Sequence, residues 1–290
     1  MNSRTLSPLL SLCRMARHLV CIVAWLWVSG VVHAQDTSPV IVAGSKFPAD
    51  AGPLFRVDGG ERKFLIPQGY FRSRVAGYAS KDAWWLEALW PDLTPWRENN
   101  PADDKEFHAP GGGRMIKMEV GFGGKNMATF LNRLINENEP GDPGYGYKSP
   151  FNFPDDTTDK RIKGDQRYGL QPYYVDFNKV LVFLNRDRKV PIITLDEVAK
   201  SRWNDWFIRR DSAGTVSTLI RCDSREVADP PEAAITGRGI ALVPHCEHKI
   251  LLPKYNARVD ISYRRVFLPQ WQAIDDAVRA LLTKFETTQP

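Results

Sequence analysis

The stretch 258-RVDISYRRVFLPQWQAIDDAVRALLTKF-285 decides the fold. Val259, Ile261 and Tyr263 alternate with Arg258, Asp260 and Ser262, the period of a half-buried strand. Around Pro269 the period changes. Trp271, Ile274, Val278, Leu281, Leu282 and Phe285 fall at helical spacing, and Pro269 sits where a first helical turn tolerates proline. The apolar stripe is narrow and the opposite face carries both signs of charge, so the helix is expected to dock on a core and not on a membrane. Asp275 and Asp276 lie in its first turns, where negative charge complements the macrodipole, which explains the acid pair without catalysis.

Outward from that stretch, residues 249–252 form a partner strand across a turn at 253–256. Residues 114–122 alternate in the same way, and 126–136 follow as a helix with Met127, Phe130, Leu131 and Leu134 on one stripe. Two strand–helix pairs, 114–136 and 258–285, predict an α+β fold of antiparallel sheets with packed amphipathic helices. They leave open two similar subdomains, over 35–150 and 151–290. Further strands are expected at 40–42, 63–66, 84–90, 180–184 and 216–222. The polar, glycine-rich segment 99–113 and the segment 229–238 read as loops. Residues 139–166, rich in Gly, Pro, Asp and aromatics, read as a domain linker or a long functional loop.

The N-terminus is expected to be an export signal over residues 1–34. Arg4, Arg14 and Arg17 precede an apolar core at 19–32, and Val32-His33-Ala34 supplies a cleavage site. The core of about 14 residues falls short of the ~20 that span a bilayer. Cys21 opens this core instead of closing it, which argues against lipid attachment. The formal charge of +5 falls once the three arginines are removed, leaving 36 basic against 34 acidic residues. That balance offers no concentrated basic face for nucleic acid. Of four cysteines, only Cys222 and Cys246 follow the signal. In an oxidising compartment the pair reads as a disulfide, with two buried thiols as the alternative.

Motifs for chemistry are weak. His245-Cys246-Glu247-His248 resembles a metal cluster, but histidines three apart on a strand point to opposite faces, and His108 is the sole further histidine after the signal. Gly121-Phe122-Gly123-Gly124-Lys125-Asn126 lacks both the early glycine and the Ser or Thr of a phosphate loop. No Gly-x-Ser-x-Gly string marks a serine nucleophile. No catalytic residue, metal ligand or cofactor is therefore assigned. Tyr145, Tyr147, Phe151 and Phe153 crowd a polar loop, where aromatics either fill a core or anchor an interface.

Two sets of residues carry a family resemblance. Pro67-Gln68-Gly69-Tyr70 is followed by Glu87-Ala88-Leu89-Trp90-Pro91-Asp92-Leu93-Thr94-Pro95. Cys246-Glu247-His248 is followed by Ile261-Ser262-Tyr263 and Leu268-Pro269-Gln270-Trp271-Gln272-Ala273-Ile274. Together they resemble small proteobacterial periplasmic proteins, several of which look like immunity proteins encoded beside type VI secretion toxins, lipases among them. The resemblance implies a periplasmic protein, not an enzyme, that binds and blocks a secreted antibacterial effector. Tyr145, Tyr147 and Phe151 are then the candidate anchors, with Arg161 and Lys163 as steering charges. The rival readings are a periplasmic hydrolase with a scattered site and a ligand- or carbohydrate-binding module.

The signal reading makes one direct prediction. Protein recovered from the periplasm should begin at Gln35, and an intact mass that retains Met1 would refute the cleavage.

Overall fold

A computed structural model describes residues 39–40, 47–71, 79–97, 99–124, 130–135, 158, 161–185, 204–229 and 243–287. All belong to the unit Gln35–Pro290. A small sheet orders β1 (Pro39–Val40), β2 (Leu54–Gly59) and β3 (Arg62–Pro67). The large sheet has eight strands. They are β4 (Ala83–Leu89), β5 (Met115–Phe122), β6 (Ile162–Lys163), β7 (Gln171–Tyr174), β8 (Asn204–Arg210), β9 (Val216–Asp223), β10 (His245–Leu252) and β11 (Ala257–Arg264). Their spatial order is β4-β5-β11-β10-β9-β8-β7-β6, antiparallel at every described pairing. The helices are α1 (Pro101–Phe107), α2 (Phe130–Ile135), α3 (Phe177–Asn185) and α4 (Trp271–Phe285). The fold class is α+β, as the alternation and the helical stripe predict.

The stretch 258–285 supplies nearly all of β11 and the whole of α4. Trp271, Ile274, Val278, Leu281, Leu282 and Phe285 are all buried, in one cluster with Leu86, Met118, Val259, Ile261 and Ile250 of the large sheet. The small sheet closes the same cluster through Val57, Phe64 and Ile66. Phe64 meets Trp84 edge-on at 4.6 Å between ring centroids. A Cβ on Gly59 would lie 2.5 Å from the Phe122 ring and 2.6 Å from Trp84, so only glycine allows this close approach. A second cluster covers part of the other face. There Phe130, Leu131, Leu134 and Ile135 of α2 pack on Trp206, Ile208, Val216 and Leu219. Strand alternation drives the division, because Phe207 belongs to the first cluster while its neighbours Trp206 and Ile208 belong to the second. The two strand–helix pairs meet in one sheet, since β5 and β11 are neighbours with Val120 opposite Val259.

Residues 139–157, 159 and 160 of the expected linker or loop lie outside the described residues, and its end carries the short strand β6. Two further local expectations fail. The run 180–184 lies in α3, not in a strand. Asp176 starts that helix: its carboxylate accepts from Lys179 N–H and its carbonyl from Val180 N–H. Val180 is buried but Val182 is 71% exposed, a contrast within an aliphatic run that hydrophobicity alone does not reveal. The segment 99–113 contains α1. Asn100 caps it by accepting from Ala102 and Asp103 N–H, Pro101 follows, and Asp103 and Asp104 fill the first turn.

Cys222 and Cys246 form a disulfide between directly opposed residues of β9 and β10. Two residues along β10, His248 is fully buried between Tyr263, at 6.2 Å, and Trp271, at 5.9 Å between ring centroids. Among the described residues neither imidazole nitrogen nor the Tyr263 hydroxyl has a hydrogen-bond partner. Burial pushes the imidazole pKa down to about 3, so His248 is neutral in the fold. The unfolded chain takes up that proton below about pH 6.5. Folding stability should therefore fall as pH drops through 6.5 towards 3, by about 2 kcal/mol on reaching roughly pH 5. Urea unfolding midpoints should drop less with pH in a His248→Met variant. Equal losses in the two proteins would contradict a buried neutral imidazole.

Candidate functional site

A groove of about 330 Å³ opens where the β6–β7 turn, the segment following β9 and the 3₁₀ segment Arg265–Gln270 meet. Asp205, Phe207 and Leu268 form its buried floor, while Arg167, Tyr168, Arg225, Asp229, Val266 and Pro269 stand exposed around it.

The turn is a tight one. Arg167 and Leu170 exchange both backbone hydrogen bonds, at 2.9 and 2.8 Å, around Tyr168 and Gly169. Both central residues have positive φ, 54° and 75°, as a hairpin turn that follows strand twist requires. Gly169 adopts this freely, but Tyr168 pays a steric cost for it. The Tyr168 carbonyl accepts from the Trp271 indole N–H at 2.8 Å, which anchors the turn to α4. The ring itself is 43% exposed.

The opposite wall is equally fixed. Asp205 accepts from Val175 N–H at 3.0 Å and from Arg225 N–H at 2.7 Å. Burial raises its carboxyl pKa, an effect that these backbone donors oppose without cancelling. Both oxygens are thus engaged with backbone, so Asp205 positions the wall and is not poised as a general acid. Arg265 donates to the carbonyls of Asp223 (3.0 Å), Ser224 (2.5 Å) and Val227, and pairs with Asp229 at 3.1 Å. Asp223 accepts from His245 N–H at 2.9 Å. Two guanidinium groups then converge on Tyr174. Arg225 lies 4.1 Å from its ring centroid, and Arg167, whose pKa the neighbouring Tyr174 side chain raises further, lines the same groove.

A second concavity, about 230 Å³, lies on the sheet face that α4 does not cover, over β4, β5, β11 and β10. Its charges largely pair among themselves. Lys249 sits 3.1 Å from Asp260 and 3.7 Å from Glu247. Glu87 stands opposite Lys117 in register.

Of the anchors expected from sequence, Tyr145, Tyr147 and Phe151 lie outside the described residues. Arg161 is buried, with its guanidinium 3.8 Å from the Trp206 ring centroid and its Nη1 donating to the Asn204 carbonyl at 2.6 Å. Lys163 is exposed on β6, the edge strand of the large sheet. The groove brings together Arg167, Tyr168, Arg225 and Arg265, none of which stood out in sequence. His245 and His248 face opposite sides of β10. His245 makes ring-nitrogen contacts with the carbonyls of Val243 (2.6 Å) and Gly111 (3.0 Å), and His248 lies under α4. Among the described residues no group of three His, Cys, Asp or Glu side chains could hold a metal. Nor is any described helix long and apolar enough to cross a membrane.

No family model matches the chain, and no curated relative matches it. One solved structure shares the fold: Smlt3025, an immunity protein of the Stenotrophomonas maltophilia type IV secretion system. The two are 22% identical, with a TM-score of 0.59. The match covers 85% of this chain and 100% of that one.

The burial of Arg161 separates the two cations near β6. Arg161→Ala should cost about 2–3 kcal/mol, from a charge-assisted hydrogen bond and a desolvated cation–π contact. Lys163→Ala should stay within about 0.5 kcal/mol of the parent. Chemical denaturation of both variants checks this, and equal stabilities would contradict the bracing role of Arg161.

Proposed function

We propose that this protein is an immunity-type inhibitor. It is exported to the periplasm, binds a secreted antibacterial effector and blocks its active site or its access to substrate. The observation that carries this reading is the fold shared over 85% of the chain with an immunity protein of a secretion system. The motif resemblance at both ends of the chain supports it independently. That resemblance points to effectors of the type VI kind, with a lipase as the favoured class. The structural neighbour serves a type IV system, so the delivery machinery is the finer part of the proposal. The site geometry agrees with binding in place of chemistry. The buried acid of the groove is consumed by backbone donors, while aromatic and arginine side chains, the usual hot-spot residues, stand exposed at its edge. Tyr145, Tyr147 and Phe151 belong to the proposed interface as further anchors, with Lys163 as a steering charge.

An inhibitor that works by occupancy acts stoichiometrically. Titrated against a lipase effector encoded beside it, the protein should abolish activity at about one equivalent when the effector concentration far exceeds Kd, with no dependence on incubation time. Inhibition far below one equivalent that grows with time would instead favour an enzyme that destroys or modifies the effector.

A further inference from the structure

We propose that the groove between the β6–β7 turn and the Arg265–Gln270 segment is an interaction surface for a loop of the protein partner, and that it receives an acidic side chain flanked by an apolar one. This rests on the partner-binding reading and names the chemistry of the contact.

Charge placement carries the inference. Three arginines and three aspartates line the groove, so its formal charge is balanced, but the two signs are used differently. Asp205 is spent on two backbone N–H groups, Asp223 accepts from His245, and Asp229 is neutralised by Arg265. Arg167 and Arg225 remain at the exposed rim. Their described contacts are the Tyr174 ring beside Arg225, the Tyr168 ring, whose centroid lies 5.5 Å from Arg167, and an exposed pairing of Arg225 with Glu226 at 3.4 Å. Each guanidinium offers a planar fork of donors suited to a carboxylate, and both line the same groove. Beside them lie Tyr168 and Val266, 43% and 49% exposed, an apolar contact for the neighbouring residue of the same loop. The rim is also prepared in advance. The Tyr168 turn is anchored through Trp271, and the backbone of Arg225 is held by Asp205, so little ordering entropy is lost on binding. An incoming carboxylate therefore meets fixed donors, and a basic loop meets repulsion.

The test uses the purified protein and short capped peptides followed by NMR, with assigned backbone and arginine Nε signals. The probe is Ac-Gly-Leu-Glu-Leu-Gly-NH2, and its control replaces Glu by Gln. The acidic peptide should produce saturable shifts at Arg167, Tyr168 and Arg225 in the millimolar range, and the Gln peptide should bind roughly tenfold more weakly. Arg167→Gln with Arg225→Gln should lose that preference. Tyr168→Asn, which keeps a residue tolerant of positive φ, should weaken both peptides alike. Equal response to the two peptides, or the absence of saturable shifts at the rim, overturns the proposal. So does inorganic phosphate reproducing the shifts while the acidic peptide does not. Peptide binding in a protein that leaves its neighbouring effector active would sink the inhibitor reading and leave the groove chemistry standing. Inhibition of the effector without any peptide preference would do the reverse.

Discussion

Everything in this protein depends on the burial of one helix face against one sheet face. The six apolar residues of α4 lie on β4, β5, β11 and β10, and the small sheet closes around them. At about 2 kcal/mol per buried side chain, that face contributes on the order of 12 kcal/mol before entropy is counted. The polar groups in the same layer show how dry it is. His248 and Tyr263 sit there without hydrogen bonds among the described residues, and the imidazole is held neutral. A charge in this layer would be uncompensated, which makes the layer strongly selective for what it encloses. Even Asp275, past the first turn of the helix, is drawn partly in, while Asp276 stays exposed. Asp275 is half-spent on Arg279, which also donates to the Leu251 carbonyl at 2.8 Å.

Most of the segments that carry the family resemblance belong to this framework; Leu268 and Pro269 also line the groove. Tyr70 donates to the Leu93 carbonyl at 3.0 Å, and the Trp90 indole donates to Gln270 at 2.8 Å. Trp96 N–H reaches the Gly69 carbonyl at 3.0 Å, where a Cβ on Gly69 would lie 2.2 Å from the Trp96 oxygen. Strings far apart in sequence are therefore stitched into one corner beside the start of α4. Their residue types answer to packing and hydrogen bonding, which is why they indicate a fold and leave the partner unnamed.

The periodic parts of the structure were legible in the sequence. The alternation of Val259, Ile261 and Tyr263, the stripe from Trp271 to Phe285, and the paired Cys222 and Cys246 each report a local rule that the tertiary structure obeys. Other features were hidden for physical reasons. Val180 and Leu181 look like a strand because aliphatic content does not distinguish strand from helix over five residues, and the deciding signal is the single cap at Asp176. The helix at Pro101 carried complete start signals in Asn100, Pro101, Asp103 and Asp104, but it lacks the apolar stripe on which periodicity depends. Arg161 resembled a surface charge until Trp206, distant in sequence, supplied a ring to cover. The groove escaped notice because its residues come from four separate segments. Their convergence depends on strand order, and strand order leaves no mark in any local window.

The bond from the Trp271 indole to the Tyr168 carbonyl has an evolutionary consequence. It uses the backbone of the turn, not the side chain that the turn displays. The scaffold therefore asks residue 168 for a conformation, a positive φ that suits Gly, Asn and Asp best, and the bond makes no contact with the functional group that residue displays. Arg225 is held in the same manner, through its amide. Rim side chains can therefore be exchanged one at a time while each inherits the same mounting, a freedom on which the proposed partner-binding role would draw.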